Sequence, residues 1–206
     1  MKKIALLLLL AASSLTLAQT HFGVKAGYSL SSMKWKSSIG DLKFDSKSYF
    51  YVGGFAEHKF NEKFAVQGEV LYTELGGQME EELTQFVGNQ LITVGMAEYK
   101  FKYPQIQVPV SAKYYFVNNF NVLGGFNFAF NINPVVKSNF LMNGSDEGKL
   151  ENAKTLNISP FLGAEYLFDN HFSVDARYNF GLFNANNSGF DNRTGFLQIG
   201  LGYRFR

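Results

Sequence analysis

The chain has 206 residues, 17% of them aromatic, 22 phenylalanines, no cysteine and a formal charge of +2. Without cysteine it can form no disulfide and no thiolate metal site, and it can carry no lipid on an N-terminal cysteine. So small a net charge, with no basic stripe, does not fit a nucleic-acid binder.

Lys2 and Lys3 precede an apolar run from Ile4 to Ala12, and Thr16 and Ala18 supply small residues at the −3 and −1 positions of a cleavage site. Residues 1–18 therefore read as a cleaved secretory leader. The apolar run is short of the roughly 20 residues a membrane-spanning helix needs. Loss of Lys2 and Lys3 with the leader takes the formal charge from +2 to about zero. Residues 19–206 contain no later apolar run of helix-spanning length. If they cross a bilayer, they must do so as a closed barrel that pairs every backbone group.

Eight stretches alternate with period two. The first sets Phe22, Val24, Ala26, Tyr28 and Leu30 against Gly23, Lys25, Gly27, Ser29 and Ser31. The second sets Phe50, Val52, Gly54, Ala56, His58 and Phe60 against Tyr51, Gly53, Phe55, Glu57 and Lys59. The third sets Phe64, Val66, Gly68, Val70 and Tyr72 against Ala65, Gln67, Glu69, Leu71 and Thr73. In the fourth, Ile106 to Phe116 on even positions oppose Gln107, Pro109, Ser111, Lys113 and Tyr115. The fifth opposes Phe120, Val122, Phe126, Phe128, Phe130 and Ile132 to Asn121, Gly125, Asn127, Ala129 and Asn131. The sixth opposes Ile158, Leu162, Ala164, Tyr166 and Phe168 to Asn157, Ser159, Gly163 and Glu165. The seventh has Phe172, Val174, Ala176, Tyr178, Phe180 and Leu182 against Ser173, Asp175, Arg177, Asn179 and Gly181. The eighth has Leu197, Ile199, Leu201, Tyr203 and Phe205 against Gln198, Gly200, Gly202 and Arg204.

Three turns are short and bracketed by phenylalanine: Phe60 to Phe64, Phe116 to Phe120, and Phe168 to Phe172. Their Asn and Asp residues suit positions that tolerate positive φ. The remaining connections, about 33–48, 74–104, 133–155 and 183–194, are long and polar. Alternation within Leu91 to Tyr103 predicts that the third and fourth strands extend beyond the membrane there. Short turns at one end, long loops at the other and period-two strands between are the pattern of an outer-membrane β-barrel. A soluble barrel would show the same alternation turned inside out, but residue size argues against it. Eight strands leave an interior only just wide enough for side chains, so the face rich in Gly, Ser, Asn and Ala points inward and the bulky apolar face meets lipid. The expected fold is an all-β, eight-stranded, antiparallel, up-and-down transmembrane barrel. Its periplasmic turns are short and its extracellular loops long. Phe60, Phe64, Phe116, Phe120, Phe168 and Phe172 would form a periplasmic aromatic girdle.

The stretch GGFAEHKFNEKFAVQGEVLYTELGG from Gly53, the stretch YPQIQVPVSAKYYFVNNFNVLGGFNFAF from Tyr103 and the C-terminal LQIGLGYRFR resemble the porin-family outer-membrane β-barrel domain. In size and layout that family is similar to the small OmpX/OmpA-type barrels. The resemblance spans the mature chain and implies a location in the cell outer membrane, among its lipid and lipopolysaccharide. It also implies that Tyr203 and Phe205, in the last strand, are an assembly signal read by the barrel assembly machinery. Arg206 follows Phe205, so the aromatic is penultimate.

Nine ionisable residues fall on the inward face: Lys25, Lys59, Lys113, Arg177 and Arg204, with Glu57, Glu69, Glu165 and Asp175. Counting back from the third short turn sets Glu165 beside Asp175, and two adjacent carboxylates need cations between them. Arg177 and Arg204 are the expected partners. The near balance of signs points to a plugged interior held by internal salt bridges. The alternative is a narrow pathway for ions or small solutes. Acid–base catalysis by the carboxylate pair would need an accessible cleft. A lipid-modifying enzyme would need a histidine near the outer leaflet, yet His21, His58 and His171 all map to the periplasmic end. Their separate strands give no metal-ligand spacing, and no cofactor is implied.

Function then falls to the loops. The first contains Met33-Lys34-Trp35-Lys36 and Lys43-Phe44-Asp45-Ser46-Lys47, which could meet anionic lipopolysaccharide headgroups or a partner, or stand as a solvated loop with one interfacial Trp. The second carries Glu80-Glu81-Glu82, read as a solvated charge run. Asn143 to Gly148 reads as a turn, because its spacing is wrong for a calcium loop. The sequence supports a non-enzymatic outer-membrane protein with a structural or surface-interaction role; the surface ligand is not legible in it.

Overall fold

A computed structural model describes residues 20–37, 40–43, 47–88, 90–140, 144–149, 154–169, 171–181 and 191–205. The predicted leader at 1–18, and most of the last long connection, lie outside the described residues. The strands are β1 (Thr20–Ser37), β2 (Gly40–Lys43), β3 (Lys47–Lys59), β4 (Phe64–Val87), β5 (Gln90–Val117) and β6 (Phe120–Asn131). They continue with β7 (Val135–Phe140), β8 (Gly144–Lys149), β9 (Leu156–Leu167), β10 (Phe172–Asn179) and β11 (Asp191–Arg204).

Eight of them form an antiparallel ring in the order β4-β3-β1-β11-β10-β9-β6-β5, which the β4–β5 pairing closes. Closure leaves no strand edge within the ring, so each backbone N–H and C=O can be paired without water. The wall is inverted relative to a soluble protein. Tyr28, Val70, Leu162 and Leu201 are about 60% exposed on the outside, whereas Lys25, Glu57, Lys113, Asp175 and Arg177 are no more than 2% exposed within. So large a continuous apolar exterior has only lipid to cover it. From Phe64 to Tyr72 the β4 strand runs through nine residues, within the roughly 9–11 that a tilted transmembrane strand needs.

The inward face also holds large apolar side chains. Phe55, Leu71, Leu123, Phe161, Leu167 and Phe196 are buried there with Tyr51 and Tyr115. Glycines on the facing strands make room for them. A Cβ added at Gly23 would strike the Phe55 ring, and one added at Gly200 would strike the Tyr51 hydroxyl. The glycine-rich inner faces of β1 and β11 are thus the complement of the bulky inner face of β3.

Two of the three short turns use one device. Asn61 Oδ1 accepts from the N–H groups of Lys63 and Phe64, both at 2.9 Å. Asp169 Oδ1 accepts from those of His171 at 2.6 Å and Phe172 at 2.7 Å. Phe60 N donates to Phe64 O, and Phe168 N to Phe172 O, at 2.9 Å each. In the third turn Asn118 and Asn119 lie between Val117 and its partner Phe120, after a bulge at Tyr115/Val117. The expected positive φ is not used at Asn61, Asn118, Asn119 or Asp169. Among the described residues the one non-glycine with positive φ is Asn133, at 46°. These asparagines and this aspartate serve as side-chain acceptors or exposed turn residues instead.

The long connections are more ordered than unstructured loops. The stretch at 74–104 is a continuous two-stranded ribbon of β4 and β5, with a bulge at Leu83/Thr84 and Gly88 at φ 63° near its tip. This agrees with the expected extension and carries it further on both strands. The first connection is a hairpin of β1 and β2. Residues 144–148, read as a turn, belong to β8 instead, which pairs with β7, while β7 pairs with β5. β2 (GDLK) and β8 (GSDEGK) are mostly polar, so no hydrophobic period marked them.

Candidate functional site

The interior of the ring divides into a charged part near the short turns and an amide part toward the ribbons. Alternation brings all nine predicted ionisable residues to the inward face, and the ring's curvature then pairs strands that are far apart in sequence. In the charged part Glu57 accepts from Lys113 Nζ at 2.7 Å, Arg204 Nη2 at 2.9 Å and the Tyr115 hydroxyl at 2.9 Å. Glu165 accepts from Lys113 at 2.8 Å and Asn121 at 3.1 Å. One step further up, Glu69 takes a two-pronged contact from Arg177, at 2.9 and 3.0 Å, and a bond from Gln67 at 2.7 Å. Lys25 Nζ lies 3.1 Å from Asp175 and 3.4 Å from Glu69.

Asp175 does pair with Glu165 across β10 and β9. Of the two cations expected there, Arg204 is at ion-pair distance from Glu165 and Arg177 is not the partner of Asp175. Arg177 reaches across the lumen to Glu69, and Lys25 takes Asp175 instead. Arg204 binds Glu57 and lies 3.7 Å from Glu165. The reason is reach. Arg177 and Asp175 lie two residues apart on one face, and a long guanidinium makes better fork geometry with a carboxylate on the opposite wall.

The amide part continues from Arg177. Gln198 accepts from Arg177 Nε at 2.9 Å and donates to Ser29 at 3.0 Å and Gln107 at 3.3 Å. Gln107 donates to Gln105 at 3.0 Å, Gln105 to Asn131 at 2.8 Å, and Asn131 to the Lys154 carbonyl at 2.6 Å. Alternation places Tyr115, Gln67, Asn121, Gln198 and Gln107 on the inward face, but charge alone does not mark them as members of the network. Neutral groups joined in series line this part of the bore.

Lys59 differs from the other eight. It is half-buried, has no carboxylate at ion-pair distance among the described residues, and rests its Nζ 4.1 Å from the Tyr115 ring centre. His21 lies inward beside it; His58 and His171 face outward, His58 against the Thr20 hydroxyl at 2.9 Å and His171 stacked on Tyr203. Among the described residues no three His, Asp or Glu side chains group as metal ligands.

The girdle phenylalanines stand outward at the short-turn end, with Phe60, Phe64, Phe116, Phe168 and Phe172 exposed and Phe120 half-covered. They join other rings edge to face: Phe64 with Tyr114, Tyr114 with Phe116, and Tyr166 with Phe168. Tyr203 and Phe205 extend this belt, with Tyr203 packed on Phe172 at 5.0 Å. In the exposed turn, the two backbone N–H groups on Asp169 hold its carboxyl below its ordinary 3.8.

A closed ring of eight strands, apolar outside and charged inside, defines a transmembrane β-barrel. The sequence matches the outer membrane protein beta-barrel domain over residues 15–187, and the chain belongs to that family. No curated protein is significantly similar to it in sequence. Among solved structures it is similar to Ail, the attachment invasion locus protein of Yersinia pestis, in complex with the heparin analogue sucrose octasulfate. The TM-score is 0.53 at 17% identity, over 91% of this chain and 99% of that one. Neisserial surface protein A gives 0.51 at 17% identity, over 89% and 97%. At such identities the likeness is one of fold. Family and fold together make this an outer-membrane protein.

Proposed function

We propose that this barrel catalyses no reaction and works through its surface ribbons, with its lumen closed by its own side chains. The observation that supports this best is that each inward carboxylate lies within 3.4 Å of a lysine or arginine, on side chains no more than 6% exposed. Opening a solute path would strip partners from buried charges, at about 3–5 kcal/mol for each pair broken. The lipid-modifying alternative lacks support, since His21, His58 and His171 all stand at the short-turn end. The leader at 1–18 and the terminal aromatics Tyr203 and Phe205 fit export and handling by the barrel assembly machinery.

Among the ribbons, the first hairpin offers a recognisable chemistry. The β1–β2 hairpin carries Lys34, Lys36 and Lys43, a charge pattern suited to lipopolysaccharide phosphates or another anionic polysaccharide. Ail was solved with a heparin analogue, which makes a sulfated polysaccharide a sensible first ligand here. The refolded barrel should bind immobilised heparin or lipopolysaccharide at low salt. The triple change Lys34→Gln, Lys36→Gln, Lys43→Gln should abolish that binding without affecting the folded band on a gel. Equal binding by the triple variant would remove the basic hairpin from the account.

A second reading, a narrow diffusion pathway, has one observation in its favour. Tyr51 Oη, Gln67 Oε1, Asn121 Oδ1, Asn127 Oδ1 and both Asp175 oxygens are buried without a hydrogen-bond partner. Such atoms call for water, and a connected file of waters would conduct.

A further inference from the structure

We propose that the periplasmic mouth of the barrel is a binding site for a phosphate or carboxylate anion, held by Lys59, Arg204 and His21. The argument begins with charge. Five cations and four carboxylates face the lumen, and each carboxylate is met by Lys25, Lys113, Arg177 or Arg204. Lys59 is the fifth cation. It is half-buried over an aromatic ring at 4.1 Å, a contact that does not neutralise it.

The second observation is space. Lys59, Arg204 and His21 line one cavity of about 380 Å³ together with the amides of Asn118 and Asn119. At about 30 Å³ per water that is room for roughly a dozen waters, or an oxyanion with its hydration. Asp169 also lines it, with its Oδ1 taken by two backbone N–H groups, so the lining sets one carboxylate against the two cations Lys59 and Arg204. Lys59 borders a second cavity of about 430 Å³ as well, beside Asn61, Glu62 and Asn118.

The third observation is rigidity. Tyr115 carries Lys59 on its ring, donates its hydroxyl to Glu57 and accepts from Arg204 Nη2 at 3.0 Å. The two cations are therefore held by one fully buried side chain before any ligand arrives. Glu57 and Glu165 together balance Arg204 and Lys113 behind them, which leaves the Lys59 charge facing the cavity. An oxyanion there gains charge-assisted hydrogen bonds from positioned donors. It can come from a free periplasmic solute or from the headgroup of an inner-leaflet phospholipid.

The test uses the refolded barrel at low salt. Inorganic phosphate is titrated into neutral detergent micelles and followed by amide NMR. Saturable shifts confined to Lys59, His21, Asn118, Asn119 and Arg204 are expected. Lys59→Gln should weaken binding about tenfold, the loss of one charge-assisted contact, whereas Lys63→Gln in the neighbouring exposed turn should not. Asn118→Asp, which adds a carboxylate to the rim without touching the lumen, should weaken it too. In nanodiscs without added phosphate, the same shifts with phosphatidylglycerol but not with a zwitterionic lipid would identify the headgroup as the source. Shifts only on adding phosphate would identify a free anion. Non-saturable shifts, or equal affinity in Lys59→Gln and Asn118→Asp, would overturn the proposal.

Discussion

At the scale of the residue, the interior is a set of paired charges whose removal one at a time should be costly. Glu69→Gln leaves the Arg177 fork and Lys25 short of their counter-charge. It should destabilise the barrel by about 3 kcal/mol in urea unfolding. Combining it with Arg177→Gln should restore part of that loss, because the second change removes the charge the first one stranded. Tyr51 makes the opposite case. Its hydroxyl is buried without a partner against Gly200, so Tyr51→Phe should be neutral or stabilising, and it should soften the cost of Gly200→Ala. A loss of more than about 1 kcal/mol in Tyr51→Phe would mean that an ordered water holds that hydroxyl.

The turn carboxylate at Asp169 gives a pH test with a definite sign. Its folded pKa is depressed, so the stabilisation its charge supplies is present above the unfolded value near 3.8 and lost as pH falls through the folded one. Asn61 performs the same capping with a neutral amide. Asp169→Asn should therefore keep the turn. The stability difference from the parent should be largest at neutral pH and vanish in strong acid. A difference that does not change with pH would mean that the charge contributes nothing.

At the scale of the element, strands were legible wherever one face was apolar and the other polar. That period fixed the inward residues of the ring and the pairing of Glu165 with Asp175. It was weak along Leu91 to Tyr103 in β5 and silent for β2, β7 and β8, short segments without apolar–polar alternation that are set by backbone pairing. The partners of Arg177 and Lys25 were illegible for another reason: they depend on which walls face each other across a tilted ring, which no single strand records. The large inward residues Tyr51 and Phe55 break the small-inside rule because the glycines beside them, Gly27 and Gly200 for Tyr51 and Gly23 for Phe55, are sockets as well as small residues. The ribbon should be separable from the barrel. Replacing residues 79–99 by a two-residue Asn-Gly turn between Gln78 and Lys100, which pair directly, should leave the gel shift on boiling and the urea midpoint unchanged. A drop in the midpoint would mean that the ribbon and β7 help to hold the ring.

At the scale of the whole molecule, membrane placement was legible because composition, turn asymmetry and the girdle phenylalanines all pointed one way. What the interior does was less so, since a charged bore can be read as a plug or a path until its partners are known. The ion pairs and the amide chain from Gln198 to the Lys154 carbonyl run in series along it and support the plug. Single-channel recording of the refolded mature barrel in a planar bilayer tests this most directly. The closed-lumen account predicts a flat baseline for the parent. It predicts that steps appear only when pairs are broken, as in Glu69→Gln with Arg177→Gln. Reproducible steps from the parent protein, with ion selectivity altered by Arg177→Ala, would contradict it and make the lumen, not the ribbons, the seat of function.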